Sequence, residues 1–256
     1  MSLSLNKLKV SIITITYNSE LTLAETIDSV VKQTYPNIEY IIVDGKSTDR
    51  TLSIIQSKQN HISKVISEKD NGLYDALNKG IAMATGDIIG ILHSDDFYTH
   101  AQVIQDVVDA FENSKADALY ADLWYVDREQ TDRVIRTWKS GNYKHGQFLN
   151  GWMPPHPTFF VKKECYQKYG VFNLDFVSAA DYELMLRFIH KHRIKLVYLP
   201  EVIVKMRVGG KSNSSFKNRW RANTEDRKAW LVNNIKPRFY TLYAKPLRKL
   251  IQFFKK

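Results

Sequence analysis

"GILHSDDFY" (residues 90–98) carries an apolar run straight into two adjacent aspartates, Asp95 and Asp96. Carboxylates at the end of a buried strand are costly unless something positive lies against them. Such an end is either a plain surface turn or a charged site, and the flanking sequence has to decide. Just upstream, "GLYDALNKGIAMA" (72–84) places Tyr74, Leu77, Ile81 and Ala84 on one helical stripe, and "DIIGIL" (87–92) is the strand that follows.

The same alternation extends to the N-terminus. "VSIITITY" (10–17) and "IEYIIVD" (38–44) are apolar nearly throughout and rich in β-branched residues, the pattern of parallel strands covered on both faces. Between them Leu23, Ile27, Val30 and Val31 recur at helical spacing, with Asn18 or Ser19 placed to cap the helix. Ser47 and Thr48 are placed to cap a second helix through Leu52 and Ile55, and "KVIS" (64–67) reads as a short third strand. The series predicts an α/β fold, a doubly wound, mostly parallel sheet with helices on both faces. In such sheets ligands gather beyond the carboxyl ends of the strands. "TYN", "DGKSTD" and "HSDD" all fall on that edge, so they read better together as a pocket than as separate turns.

Downstream, a helix through Val103, Val107, Val108 and Phe111 precedes "ADALYADLWYVD" (116–127) and "RVIRTW" (133–138), expected as antiparallel strands. "WMPPHPTFFVKKECYQKYG" (152–170) reads as a rigid proline turn, a strand and a helix. "AADYELMLRFIHKH" (179–192) is a helix starting near Asp181, and "IKLVYLP" (194–200) is a last strand.

Composition narrows the function. Of the 256 residues 44% are apolar, which suits a folded globular chain. No apolar stretch reaches the ~18–20 residues of a membrane span. The N-terminus lacks the apolar core and cleavage site of a signal peptide, and Cys165, the single cysteine, is expected as a small buried apolar residue. A cytoplasmic protein is expected. From Lys205 onward 15 Lys or Arg face only Glu225 and Asp226, whereas the first 204 residues hold 22 basic against 25 acidic. A mildly acidic body with a strongly basic tail points to a polyanionic surface as partner, membrane or nucleic acid.

Neither G-x-G-x-x-G nor G-x-x-x-x-G-K-[ST] occurs, which removes dinucleotide oxidoreductases and P-loop NTPases. A phosphorylated ligand held without a glycine cradle needs another source of positive charge. Mg²⁺ or Mn²⁺ on carboxylates supplies it, and Asp95 and Asp96 fit that role. Asp44, at the mouth of the neighbouring strand, can accept a hydrogen bond from a base N–H.

"SIITITYN", "IIVDGKSTDRT", "DNGLYDALNKGIAMATGDIIGILHSDD" and "AADYELMLR" resemble, in order and spacing, the serial motifs of family 2 glycosyltransferases with the GT-A fold. The resemblance spans about residues 9 to 205. It implies non-processive transfer of one sugar from a nucleotide donor, UDP favoured, to an acceptor hydroxyl, with inversion and with Mn²⁺ or Mg²⁺ as cofactor. By position it puts Tyr17 against the base, Asp44 on its N3–H, and Asp70 and Lys79 along the nucleotide and diphosphate. It makes Asp96 the main metal ligand, Asp95 a second carboxylate nearer ribose and sugar, and Asp181 the general base. His156, in "PPHPT", would face the acceptor. Two departures stand out: Ser94 replaces the first Asp of an Asp-any-Asp metal motif, and Ala180 precedes the base where Glu is common.

Each assignment has a plainer counterpart. Asp181 can cap its helix, with Asp175 and Glu183 as neighbouring carboxylates. Asp70-Asn71-Gly72 is a good turn, Lys79 a solvated helix residue, and His156 polar surface. "MRVGGKSNSSFKNRWRANTED" (206–226) is either a linker or a flexible loop that folds over donor with Arg207 or Lys211 on the diphosphate. The division expected is a catalytic domain over 1–205 and an extension over 206–256. In that extension Leu247, Leu250, Ile251 and Phe254 form one helical face among Arg248, Lys249, Lys255 and Lys256. A basic amphipathic helix of this kind lies on a membrane surface or packs on the core. On the membrane it would put the enzyme at the inner face of the cytoplasmic membrane, with a lipid-linked saccharide as acceptor in cell-surface polysaccharide assembly. A nucleic-acid-binding module and a sugar-1-phosphate nucleotidyltransferase are the competing functions. The first gives the strand-end carboxylates no role, and the second lacks its Gly-rich basic N-terminal signature.

Overall fold

The computed structural model describes residues 7–209 and 216–245. β1 (Val10–Thr16) is buried at every position and β2 (Ile38–Asp44) at all but its first. They pair in parallel, Val10 opposite Ile38 through Thr16 opposite Asp44. β3 (Lys64–Ser67) continues the sheet beyond β2, and β4 (Ile88–Ile91) flanks β1 on its other side, both in parallel.

The order β3-β2-β1-β4 fixes how the chain winds. From β1 it steps through α1 (Leu23–Val31) to β2 and through α2 (Thr51–Ser57) to β3, then returns through α3 (Leu73–Met83) to β4. Right-handed crossovers put helices on opposite faces when the direction of winding reverses. β1 and β4 therefore flank the switch point, where folds of this class open a crevice at the carboxyl ends of the strands. α3 lies so near β1 that a Cβ at Gly80 would come 2.5 Å from Ile13 Cγ2.

Past β4 the sheet becomes mixed. β8 (Phe160–Lys162) is antiparallel to β4, and β6 (Ala118–Val126) is antiparallel to β8. β9 (Leu196–Arg207) runs parallel to β6, with irregular register around Asp122. β5 (Asp96–Tyr98) closes that edge antiparallel to β9, and β7 (Val134–Trp138) folds back onto β6. α4 (Val103–Ser114) buries Val103, Val107, Val108 and Phe111, and α5 (Lys163–Tyr169) follows β8 directly.

Several expectations change. Asp96 opens a short strand instead of closing one, because β9 continues past Pro200 to Arg207 and offers β5 an edge. The helix expected from 179 is α6 (Ala180–Met185), which widens into a π-helical stretch over Leu186–Lys191. α1 and α2 begin at Leu23 and Thr51, and the serines and threonine expected to cap them are engaged elsewhere. Asp49 Oδ1 instead accepts the Thr51 N–H at 2.9 Å. The flexible loop expected over 206–226 gives way from Phe216 to α7 (Phe216–Val232), which the core holds through the fully buried Ala229 and Trp230. The amphipathic face of Leu247, Leu250, Ile251 and Phe254 lies outside the described residues, as does Lys211. No helix among the described residues is long and apolar enough to cross a membrane.

Candidate active site

The three polar strand ends meet, as their placement predicted. Asn18, in the left-handed region at φ 50°, donates its N–H to Ser47 Oγ at 2.9 Å and accepts the Thr48 N–H on Oδ1 at 2.9 Å. Ser19 N–H donates to Thr51 Oγ1 at 2.8 Å, and its hydroxyl lies 2.9 Å from that of Ser94. The loops after β1, β2 and β4 are thereby tied into one rim.

Asp44 is fully buried and accepts from Ser47 N–H (3.0 Å), Ser47 Oγ (2.5 Å) and Ser67 Oγ (2.6 Å). Its carboxylate serves the β2 turn with three of its about four acceptor positions. Beside it Gly45 lets two walls close in. A Cβ there would stand 3.0 Å from Asp70 Oδ2 and 3.4 Å from Tyr17 Cδ2. Tyr17 is 51% exposed on this rim. Lys79 Nζ contacts Asp70 (2.6 Å), Glu68 (2.8 Å) and Asp75 (3.4 Å), hydrogen bonds that raise its pKa. Those carboxylates are the partners of Lys79 here, in the place where a phosphate was expected.

Asp96 is the anomaly of the rim. Its main chain is well held: the N–H donates to His93 O at 3.0 Å and the carbonyl accepts from Thr26 Oγ1 at 2.8 Å. Its side chain is fully buried, and among the described residues neither carboxylate oxygen accepts a well-formed hydrogen bond, although the Arg207 backbone N–H lies close enough to act on it. Burial pushes its pKa well above the ordinary value, the charge of Asp95 adds to that, and Arg207 opposes it. Arg207 is the buried end of β9 rather than part of a mobile loop. It donates from Nη1 to the Asp95 carbonyl at 2.6 Å and pairs through Nη2 with Glu25. A buried carboxylate without a well-formed hydrogen bond, beside a half-buried second one, is a donor set suited to a hard divalent cation, which prefers oxygen ligands. A second group, His100, Asp106 and Glu201, also brings one ligating atom each within 4.8 Å. It is largely exposed and stands beyond the far end of β5.

Asp181 sits in the first turn of α6 and does not cap it. Tyr74 donates its hydroxyl to Oδ1 at 3.3 Å, and His156 Nδ1 stands 3.4 Å from Oδ2. Burial and the charge of Asp181 raise the Tyr74 pKa, which keeps the phenol protonated. His156 meets His93 edge-on with ring centroids 5.5 Å apart. Burial, together with the charge of His156, holds His93 down to about 4 against the pull of Asp95 and Asp181. The alternative carboxylate Glu183 is committed elsewhere: it is buried, paired with Arg187 at 2.9 Å and accepts from Asn233 at 2.9 Å.

Tyr125 joins the two acidic centres. Burial raises its hydroxyl pKa, Arg136 opposes this, and the charges of Asp96 and Asp181 both add to it. The Arg136 guanidinium lies 3.8 Å from the centroid of the same ring. Tyr74, His93, Tyr125 and Arg136 were not singled out from the sequence as site residues. Tyr74 had been counted only in the apolar stripe of its helix, and nothing in the local pattern marks Arg136.

Residues 11–170 match the model of "Glycosyl transferase family 2". An uncharacterized glycosyltransferase of Mycobacterium tuberculosis is 33% identical over 180 residues, covering 70% of this chain and 68% of that protein. The PGL/p-HBAD biosynthesis glycosyltransferase of the same organism is 29% identical over 80% of this chain and 79% of its own length. Among solved structures, Staphylococcus aureus TarS in complex with UDP-GlcNAc superposes with a TM-score of 0.67 at 17% identity, over 89% of this chain and 68% of that one. Against a longer TarS chain this protein spans 44% of the length, with a TM-score of 0.65 at 18% identity and 96% of this chain covered. The mannosyltransferase PcManGT from Pyrobaculum calidifontis, in complex with GDP-Man and Mn²⁺, gives 0.67 at 18% identity, over 95% and 74%. The mixed, mostly parallel sheet with its helices is thus the GT-A architecture, and the chain belongs to glycosyl transferase family 2 as a glycosyltransferase.

Proposed function

We propose that this glycosyltransferase moves one sugar from a UDP-sugar to an acceptor hydroxyl with inversion, using Asp181 as general base and a divalent cation held by Asp96 and Asp95. The observation that carries the reading is the buried Asp96 carboxylate, which accepts no well-formed hydrogen bond among the described residues and stands beside Asp95, near the Asp181 cluster. Mn²⁺ or Mg²⁺ bound there would offset the charge that grows on the leaving diphosphate. The chain's own residues do the rest. Tyr17 and the Gly45 wall stand where the base would lie, and Tyr74 and His156 flank the Asp181 carboxylate. Asp181 takes the proton from the acceptor O–H. The acceptor oxygen then bonds to the anomeric carbon on the face opposite the breaking C–O bond, whose electron pair leaves with UDP.

UDP is favoured because TarS has been solved with UDP and with UDP-GlcNAc, and PcManGT with GDP-Man makes GDP the comparison to run. A lipid-linked acceptor at the membrane surface accords with the relative named for PGL/p-HBAD biosynthesis and with the basic C-terminal part. The exposed Phe239 and Tyr243 fit such a surface too. These features support a role in cell-surface polysaccharide or glycolipid assembly, at the cytoplasmic face of the membrane. The test is thermal stabilisation by UDP, GDP and their sugars with Mn²⁺, Mg²⁺ or chelator. A ligand at 100 times its Kd adds about 2.7 kcal/mol. UDP should stabilise only with metal; equal shifts in chelator would sink the metal assignment, and a GDP-only response the donor assignment.

A further inference from the structure

We propose that Glu225, on α7, is a positioning residue for the base: it anchors the turn that leads into the helix carrying Asp181 and so sets where that carboxylate stands. The proposal rests on Asp181 being the base. The first N–H groups of a helix lack partners and carry partial positive charge. Ser, Thr, Asp or Asn at the cap normally satisfies them. Here the cap position is Ala179, which has no acceptor, and no side chain near it serves. A carboxylate from far along the chain instead holds the N–H of the cap residue and of the two residues before it, which fixes the entry to the helix. Glu225 Oε1 accepts the Val177 N–H at 3.0 Å, and Oε2 accepts those of Ser178 at 2.8 Å and Ala179 at 2.9 Å. Glu225 is itself 8% exposed, so these charge-assisted bonds are shielded from water.

The rest of α7 grips the same segment. Lys228 Nζ donates to the Asp175 carbonyl at 2.9 Å, Trp230 Nε1–H to Tyr182 Oη at 3.0 Å, and Asn233 Nδ2 to Glu183 Oε1 at 2.9 Å. These contacts bracket Asp181 from 175 to 183 without touching it. The bonds that Asp181 makes for itself, at 3.3 and 3.4 Å, are long for a carboxylate. The backbone of α6, rather than the side chain's own partners, therefore sets its position. A displacement of about 1 Å at a reacting group costs roughly 10²-fold in rate. The family match ends at residue 170, so this clamp belongs to the C-terminal part of the chain.

Glu225→Gln keeps the shape but leaves one oxygen where the three N–H groups need two. In the full chain with Mn²⁺ and the responding nucleotide sugar, kcat should fall by about 10²-fold. The donor KM and the metal-dependent thermal shift with UDP should stay at wild-type values. Lys228→Met, a milder cut in the same clamp, should lower kcat in the same direction by less. It supplies the readout if Glu225→Gln does not fold. Thr241→Val removes a buried bond to the Leu149 carbonyl elsewhere in the C-terminal segment, and should lower Tm with kcat intact. Wild-type kcat in both clamp variants, while Asp181→Asn is inactive, would overturn the positioning role and leave the base reading standing. So would a kcat loss that merely tracks Tm across the clamp variants and Thr241→Val. Normal transfer by Asp181→Asn would instead remove the base reading, and this proposal with it.

Discussion

Asp96→Asn should make the protein more stable without metal and less stable with it. A buried polar group left without a partner costs about 1–3 kcal/mol, and a charged one more. In the wild type both oxygens of Asp96 are in that position, and the neighbouring Asp95 worsens it. Asn removes the charge but keeps a buried amide that is itself short of partners, so the net gain is about 1–2 kcal/mol. For a chain of this size each kcal/mol moves Tm by about 2–4 °C. The variant should then melt about 2–8 °C above wild type in chelator. Saturating Mn²⁺ with UDP reverses the order, because at 100 times Kd the wild type gains about 2.7 kcal/mol and the variant loses the metal-dependent part.

The pH dependence has a definite sign. A carboxylate whose pKa is raised by folding binds more protons in the native state, so stability falls as pH rises from the ordinary carboxylate range through the folded value. Asp96→Asn should flatten that limb. Scanning calorimetry in chelator and in Mn²⁺ with UDP, from pH 4 to 8, reads all of this. A variant less stable than wild type in chelator, or equal metal shifts in both proteins, would refute the reasoning.

Asp181→Asn should keep metal-dependent nucleotide stabilisation and lose about 10²–10⁴-fold in transfer, measured by sugar product released per enzyme. His93 is held neutral, with a pKa lowered from 6.5 to about 4, so the unfolded chain binds the extra proton between those values and stability drains as pH falls through them. His93→Gln should lose less Tm over that window in a melting series. The full chain should sediment with anionic liposomes at low salt, each surface-near Lys or Arg adding about 1 kcal/mol, and a chain ending near residue 235 should not. If both stay in the supernatant, membrane contact through the tail is excluded.

The first half of the fold was legible because three of its strands, β1, β2 and β4, are buried on both faces. β1 to β4 fall where the β-branched runs lie, and α3 carries its expected stripe of Tyr74, Leu77 and Ile81. The second half was harder, since its pairings are non-local. β5 has only the edge of β9 to make it a strand, and β9 passes through Pro200, so a reading by local pattern stopped seven residues before the fold does. α7 was missed for a similar reason. Its hydrophobic residues are few and its polar ones many, and its place is set by Glu225, Trp230 and Asn233 reaching α6.

The candidate site divides along the same line. Residues at strand ends, Tyr17, Asp44, Asp70, Asp95 and Asp96, could be foreseen because a doubly wound sheet sends all its carboxyl ends to one rim. What each does there could not, because partner choice depends on neighbours distant in sequence. Asp44 and Asp96 both end buried on that rim, yet the hydroxyls of Ser47 and Ser67 fall to Asp44 while Asp96 receives none. The same side chain is therefore a turn latch at Asp44 and, at Asp96, a buried carboxyl whose surroundings favour the proton. The burial of Asp96 beside Asp95, with no hydroxyl donor among the described residues, supports the proposed cation site more than the pairing of aspartates in the sequence does.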